Sequence, residues 1–103
     1  MTGQQILDRF KKEIKKCLKN RVKKIVLFGS RARGDNAPDS DYDLMLVLNK
    51  LSPTTKKNIN KIEGEFLYNY NAVFSAFTLT LQSLKKRKYD PFIMNIQKEG
   101  KEI

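Results

Sequence analysis

Two aspartates separated by one residue, Asp41 and Asp43, are the side chains of this sequence with the clearest capacity for chemistry. They begin the otherwise apolar run DYDLMLVL, which predicts a strand over 41–48. Alternate residues of a strand project from the same face, and two carboxylates so close repel each other unless a cation or a shared proton relieves them. Carboxylates are preferred ligands of magnesium. The pair predicts a metal site; the alternative is that one aspartate caps a turn and the other faces solvent.

Gly29-Ser30 is the second feature with chemical potential, because it follows the apolar run KIVLF at 24–28, which predicts a strand. Glycine lets the backbone approach a ligand closely, and the free N–H groups of a following helical turn favour phosphate oxygens. The pair alone is a weak signal, since most glycine-serine pairs after strands are ordinary turns.

The ten residues 31–40 (RARGDNAPDS) join these two features, and their composition predicts one short helical turn followed by a loop. Such a loop allows strands 24–28 and 43–48 to be neighbours in a sheet, with Gly29-Ser30 facing the aspartates. Phosphates on one side and a divalent cation on the other suit metal-dependent chemistry on a phosphate ester.

The remaining elements are those that position this hairpin. Apolar residues at three- and four-residue intervals predict a helix over 4–19, and Ser52-Pro53 is typical of a helix start, here one running to about Tyr70. The sequence then predicts a strand over 72–81, a short helix over 82–88 and a last helix from the N-cap Asp90 to about Lys98, ended by Gly100. We expect one domain over 1–103, a two-layer α+β fold with a small mixed sheet of three to four strands covered by helices.

Composition narrows the chemistry further. The 103 residues contain no histidine, which excludes histidine-based acid–base catalysis and histidine-ligated zinc, and one cysteine, Cys17, expected to be a buried thiol on the first helix. The net charge of +10 suits polyanions, although lysines that solvate the helices are the favoured explanation. No apolar run is long enough to cross a membrane and no signal peptide is recognisable, so we expect a cytoplasmic protein.

The segments Leu27–Gly34 and Ser40–Leu44 together resemble the signature of the polymerase-beta-type nucleotidyltransferases. More narrowly, Gly-Ser, ten intervening residues and then Asp-Tyr-Asp resemble the minimal nucleotidyltransferases, short prokaryotic proteins found in HEPN/MNT toxin–antitoxin pairs. The end of the chain, from Asp90-Pro91-Phe92-Ile93 to Lys98–Ile103, is also similar to the close of such proteins, so the resemblance covers nearly the whole chain.

The resemblance implies a nucleotidyltransferase that transfers a nucleoside monophosphate, AMP when the substrate is ATP, to a hydroxyl of a protein or small molecule. Asp41 and Asp43 would be the catalytic residues and would hold Mg²⁺ or Mn²⁺. The nucleotide triphosphate would be bound by a larger set: Gly29, Ser30, Arg31, Arg33 and Ser40. For the two arginines, a salt bridge to Asp35, Asp39 or a glutamate is the alternative.

The same resemblance implies a HEPN-type protein as partner, with this chain as its antitoxin. Many members of the superfamily carry a third carboxylate on a neighbouring strand, but the matching run here, Val73–Thr80, contains no acid; Ser75 or Val73 takes its place. The alternative function is therefore a catalytically weak or inactive nucleotide-binding antitoxin that neutralises its partner by contact. The sequence is compatible with a monomer or a homo-oligomer. Direct nucleic-acid binding is the least favoured hypothesis, since the sequence shows no stacking platform or helix-turn-helix pattern.

Overall fold

The computed structural model describes residues 1–103 and contains five α-helices and four strands. The helices are α1 (Gly3–Leu18), α2 (Ser30–Arg33), α3 (Pro53–Tyr70), α4 (Leu81–Lys86) and α5 (Pro91–Glu99). The strands are β1 (Val22–Phe28), β2 (Tyr42–Leu48), β3 (Phe74–Thr80) and β4 (Lys101–Glu102), and a 3₁₀ turn at Lys19–Arg21 joins α1 to β1.

The strands form one mixed sheet in the order β3-β2-β1-β4. β1 and β2 are antiparallel neighbours, with Phe28 paired to Asp43. The connection through α3 brings β3 alongside β2 in parallel, with Ser75 paired to Asp43. β4 adds two residues antiparallel to β1, with Leu27 paired to Lys101. The predicted hairpin and the mixed sheet of an α+β fold are thereby confirmed.

One face of the sheet packs against α1 and α3. This core includes the inward side chains of α1 and α3 and alternate residues of the strands: Leu7, Phe10, Ile14, Leu18, Ile25, Leu27, Leu44, Leu46, Leu48, Ile59, Ile62, Phe66 and Phe74. Phe10 stacks on Phe74, with ring centroids 3.9 Å apart. Because both long helices lie on this face, the sheet presents its other face to the C-terminal helices.

The second face of the sheet packs against α4 and α5 through a smaller core of Val26, Met45, Val47, Leu79, Ile93 and Ile96. Asp43 precedes Met45 by two residues and therefore lies on this second face. This second core ends at Met45, so the Asp43 carboxylate lies at the boundary between the packed interior and solvent.

The predicted helix starts are confirmed at two places. Ser52, which directly precedes Pro53, caps α3 by accepting a hydrogen bond from the Thr55 N–H. Asp90, which directly precedes Pro91, caps α5 by accepting one from the Phe92 N–H. No helix is long and apolar enough to span a membrane.

Two details of the sequence interpretation were wrong or incomplete. Cys17 is exposed rather than buried, because α1 turns its Leu7, Ile14 and Leu18 side inward and Cys17 lies at the margin of that stripe. β4 was missed: two residues are too short a run for any periodicity, and only the pairing with β1 defines it as a strand.

Candidate active site

Asp43 lies at the centre of a row of three residues that crosses the sheet. Phe28 of β1 and Ser75 of β3 are its partners on either side, and paired residues of neighbouring strands project from the same face. Asp41 precedes β2 by one residue and is exposed, whereas Asp43 is half-buried. The structure therefore places two carboxylates, separated by one residue, at the loop end of the β1–β2 hairpin.

Gly29 lies directly against Asp43. A Cβ added to Gly29 would overlap Oδ2 of Asp43, so only glycine leaves room for the carboxylate. The Gly29 backbone has φ 76° and ψ −159°, a combination that is essentially restricted to glycine. The predicted juxtaposition of Gly29-Ser30 with the aspartates is thus present, and its basis is both steric and conformational.

Ser30 begins the short helix α2, which turns the chain immediately after β1. The Ala32 and Arg33 N–H groups both donate to the Gly29 carbonyl at 3.1 Å, and the Gly34 N–H donates to the Ser30 carbonyl. Because the amides of Ala32 and Arg33 are used in closing the turn, Ser30 and Arg31 supply the amides that the turn itself leaves unpaired.

The two arginines of the loop have different environments. The Arg31 guanidinium donates to the carbonyls of Pro38 and Ser40, both at 3.0 Å, and stacks 3.8 Å from the centre of the Tyr42 ring. Arg31 therefore secures the loop before β2 and forms no salt bridge, while its contact with a nucleotide stays a prediction.

Arg33 instead forms salt bridges, to Asp35 at 3.1 Å and to Glu99 at 3.3 Å. The hydrogen bond and charge of Asp35 raise the pKa of Arg33, Glu99 adds to this effect, and partial burial opposes it. Its side chain is nevertheless 47% exposed and its charge reaches Asp43. Of the two arginines, Arg33 is the one whose charge is available to an anion at the hairpin.

Ser40, the fifth candidate for nucleotide binding, uses its hydroxyl within the loop. The hydroxyl oxygen accepts a hydrogen bond of 2.9 Å from the Ala37 N–H. This contact and the hydrogen bond from Arg31 to the Ser40 carbonyl fix the chain just before Asp41. Ser40 is thus placed to orient the aspartate pair from the loop side.

The electrostatics of Asp43 suit a cation ligand. Burial raises the pKa of Asp43 and the charge of Asp41 raises it further, while Arg33 acts in the opposite direction. Hydrogen bonds from the protein are not among the influences on this carboxylate. Two close carboxylates without donors fit a divalent cation held by oxygen, since the cation would relieve both the repulsion and the desolvation.

The protein supplies only two carboxylates at this place. No group of three or more acidic, histidine or cysteine side chains in the chain is arranged to hold a metal. Ser75, exposed and in register with Asp43, stands where a third carboxylate would complete the set. Glu63, on α3, is occupied elsewhere: its carboxylate accepts the Ala76 N–H at 3.0 Å, and burial raises its pKa while this hydrogen bond lowers it.

Glu99 is the one residue of the site to which the sequence gave no role. Glu99 is the last residue of α5, and its carboxylate accepts hydrogen bonds from the Gly29 N–H and the Arg33 guanidinium. The Glu99-Gly100 pair belongs to the C-terminal segment that carried the family resemblance, and this was the only signal in the sequence that could have pointed to it.

Comparison with known proteins agrees with this geometry. The family model described as "Polymerase beta, Nucleotidyltransferase" matches residues 12–103, which include the whole hairpin and the C-terminal helices. The chain belongs to this nucleotidyltransferase family. The match spans both the aspartate pair and Glu99, so the elements that build the site all lie within it.

Two curated relatives of this nucleotidyltransferase come from Methanocaldococcus jannaschii, and both are named as putative protein adenylyltransferases. One is 32% identical over 101 residues, covering 96% of each chain. The other is 28% identical over 101 residues, covering 98% of this chain and 97% of the relative. Relatives of almost the same length agree with the expected minimal form of the family.

Solved structures share the fold at low sequence identity. A toxin–antitoxin structure with AMP-PNP has a TM-score of 0.61 at 12% identity over 92% of this chain and 70% of the other. A mutant of the MntA-HpeT toxin–antitoxin has a TM-score of 0.59 at 11% identity over 99% and 72%. A putative nucleotidyltransferase from Sulfolobus solfataricus has a TM-score of 0.53 at 22% identity over 81% and 70%. The prediction of a minimal nucleotidyltransferase is confirmed.

Proposed function

We propose that this nucleotidyltransferase binds an NTP, ATP in the first place, at the 29–43 hairpin and transfers its nucleoside monophosphate to a hydroxyl of a partner protein. The observation that carries the proposal is the close packing of Gly29 against Asp43, beside a second carboxylate at Asp41. This contact brings a turn suited to phosphate oxygens next to two carboxylates suited to a cation.

In this arrangement each group of the chain has a distinct task. Asp41 and Asp43 would hold Mg²⁺ or Mn²⁺, which when bound neutralises phosphate charge and orients the α-phosphate. Gly29, whose own N–H is bonded to Glu99, would let the triphosphate approach the backbone closely, and Ser30 and Arg31 would present their free amides to it. Arg33 would supply positive charge at its edge. The acceptor oxygen forms a bond to the α-phosphorus while the bond to pyrophosphate breaks. The acceptor's proton leaves to solvent or to an aspartate, since Ser75 is no base.

Two observations support a protein as the acceptor: the names of the relatives and the exposure of the hairpin. The relatives are named as putative protein adenylyltransferases, which favours AMP transfer to a protein. Two cavities of about 440 Å³ each, one between α1 and α3 and one along α1, share no residue with the hairpin. Asp41 and Ser75 are exposed at the hairpin, so a second macromolecule can deliver the acceptor hydroxyl there.

Toxin–antitoxin structures of the same fold support a partner from such a system. We propose a HEPN-type protein as this partner and the present chain as its antitoxin. The alternative, neutralisation of the partner by contact without transfer, is favoured by one observation: the residue beside Asp43 on β3 is a serine and not an acid.

The decisive experiment incubates the protein with ATP labelled on the α-phosphate, Mg²⁺ and the protein encoded by the neighbouring gene. Label on the partner that disappears with Asp41→Asn and with Asp43→Asn supports transfer. Asp39→Asn is the matched control, because Asp39 is an exposed aspartate of the same loop. A tight complex that inhibits the partner and carries no label would refute transfer and establish the contact mechanism.

A further inference from the structure

Glu99 contacts the hairpin although 70 positions of sequence separate it from Gly29. Its Oε1 accepts the Gly29 N–H at 3.3 Å, and its two oxygens lie 3.3 and 3.4 Å from Nη1 of Arg33. The Glu99 side chain is only 22% exposed, so these contacts are sheltered from water in a way that most surface ion pairs are not.

Gly29 is held from two opposite sides. Its Cα faces the carboxylate of Asp43 on β2, and its N–H points to Glu99 beyond the other edge of β1. The unusual φ and ψ of Gly29 have little intrinsic preference over other glycine conformations, so the surroundings must select them. The hydrogen bond from the Gly29 N–H to Glu99 is the side-chain contact that restrains this peptide, beside the pairing of Phe28 with Asp43.

Arg33 is restrained by the same carboxylate. Its Nε donates a hydrogen bond to Asp35 and its Nη1 donates one to Glu99. The guanidinium is therefore held on two sides and is still half-exposed. The charge of Arg33 already acts on Asp43, where it lowers the pKa, so without Glu99 this carboxylate is an alternative partner for the arginine. An arginine paired with Asp43 would compete with a cation for the same oxygens.

The end of α5 is built to reach this position. A Cβ on Gly100 would overlap the Ile96 carbonyl and press against Val26, so the glycine lets the helix end directly against β1. The pairing of Lys101 with Leu27 then secures the chain after Glu99 to the sheet. The C-terminal segment thus delivers one carboxylate to the back of the Gly29 turn.

We propose that Glu99 is a positioning residue of the nucleotide site: it holds the Gly29 peptide and the Arg33 guanidinium in the arrangement that receives the triphosphate. This proposal rests on the proposed function, since it assigns a role in binding the same nucleotide. Glu99 does not contact the reacting atoms. It acts through Gly29 and Arg33 and makes α5 part of the site.

The test uses Glu99→Gln, which keeps an oxygen for the Gly29 N–H but loses the charge toward Arg33, and Glu99→Ala, which loses both. Glu102→Gln is the matched control, a glutamate three residues away whose carboxylate lies 3.9 Å from Lys24 and is 65% exposed. The NMR signals of the Gly29 N–H and the Arg33 Nη–H, recorded without nucleotide, report the contacts. Titration with a fluorescent ATP analogue and Mg²⁺ reports the affinity, and thermal unfolding reports the fold.

We expect the Gly29 N–H signal to move most in Glu99→Ala and the Arg33 Nη–H signal to move in both variants. Nucleotide affinity should fall about tenfold or more in Glu99→Ala, less in Glu99→Gln, and not at all in Glu102→Gln, as expected when a charged hydrogen bond that shapes a site is removed. If the wild type binds nucleotide and both Glu99 variants bind it equally well, the positioning role is refuted and the proposed function stands. If the wild type itself binds no nucleotide, the proposed function is refuted, and the positioning role with it.

Discussion

Substitution of Gly29 by alanine tests the central contact of the site. The added Cβ would overlap Oδ2 of Asp43, and the backbone at φ 76° and ψ −159° disfavours any side chain. Backbone strain of this kind costs about 1–3 kcal/mol. Displacement of the Asp43 carboxylate adds to that cost, so we expect Gly29→Ala to lose about 3 kcal/mol of folding stability.

Gly34→Ala provides the matched control. Gly34 also has a positive φ, 81°, but it lies in the left-handed helical region with ψ 11° and no atom lies within 4 Å of an added Cβ. Its substitution should cost about 1 kcal/mol from backbone conformation alone. For a domain of this size each kcal/mol lowers Tm by about 4–8 °C, so the two variants should differ by about 8 °C or more in a thermal unfolding experiment.

The double variant separates the two contributions. In an Asp43→Ala background the overlapping oxygen is absent, so Gly29→Ala should cost only its backbone strain, and the coupling energy should be about 1 kcal/mol or more. We also expect Gly29→Ala to abolish nucleotide binding and Gly34→Ala to retain it. Equal stability of the two single variants with no coupling to Asp43 would refute the proposed steric role of Gly29.

Three further predictions concern the charges beside the site and the core beneath it. Asp43→Asn should leave Tm at pH 7 unchanged or slightly higher in a metal-free thermal melt, since burial and a neighbouring charge raise the Asp43 pKa and therefore disfavour its ionised form; a marked loss would contradict this. Glu63→Gln should keep the hydrogen bond to Ala76 and remove a disfavoured charge. In the wild type, burial raises the pKa of Glu63, so the free energy of unfolding falls as pH rises from the unfolded-state pKa of Glu63 through its raised folded-state pKa. Urea unfolding measured across pH should show a smaller pH dependence in the variant. Phe10→Ala should lose about 3–5 kcal/mol in urea unfolding, because Phe10 is fully buried; a loss under 1 kcal/mol would place the core elsewhere.

The missing third carboxylate gives the last prediction. Ser75→Asp would place an acid in register with Asp43 on the same face of the sheet. We expect stronger Mn²⁺ binding, measured by calorimetry, and at least about tenfold faster label transfer, since a positioned base contributes roughly 100-fold or more. Thr78→Asp, three positions along β3 and on the opposite face, is the control. Faster transfer with the control and not with Ser75→Asp would show that the register does not position the base.

Much of the fold followed from local patterns. The start of α3 at Ser52-Pro53 and the start of α5 at Asp90-Pro91 were predicted correctly, because an N-cap side chain and a proline act on their own turn of helix. Cys17 shows the limit of such reasoning, since a residue at the margin of an apolar stripe is buried or exposed according to how the helix is rotated on the sheet.

The hairpin itself could be predicted because its parts are close in sequence. Gly29-Ser30, a loop of ten residues and the aspartates at 41 and 43 follow one another between and at the start of two consecutive strands. The spacing and residue types alone therefore place the glycine-serine turn beside the aspartate pair. Only the tertiary structure decided the surroundings of the hairpin. The position of Ser75 depends on the register of β3, and the contacts of Glu99 depend on where α5 ends. The different roles of Arg31 and Arg33 depend on which acceptors the folded chain offers them. Contacts across 32 to 70 residues arise from strand order and packing, and no local pattern in the sequence encodes them.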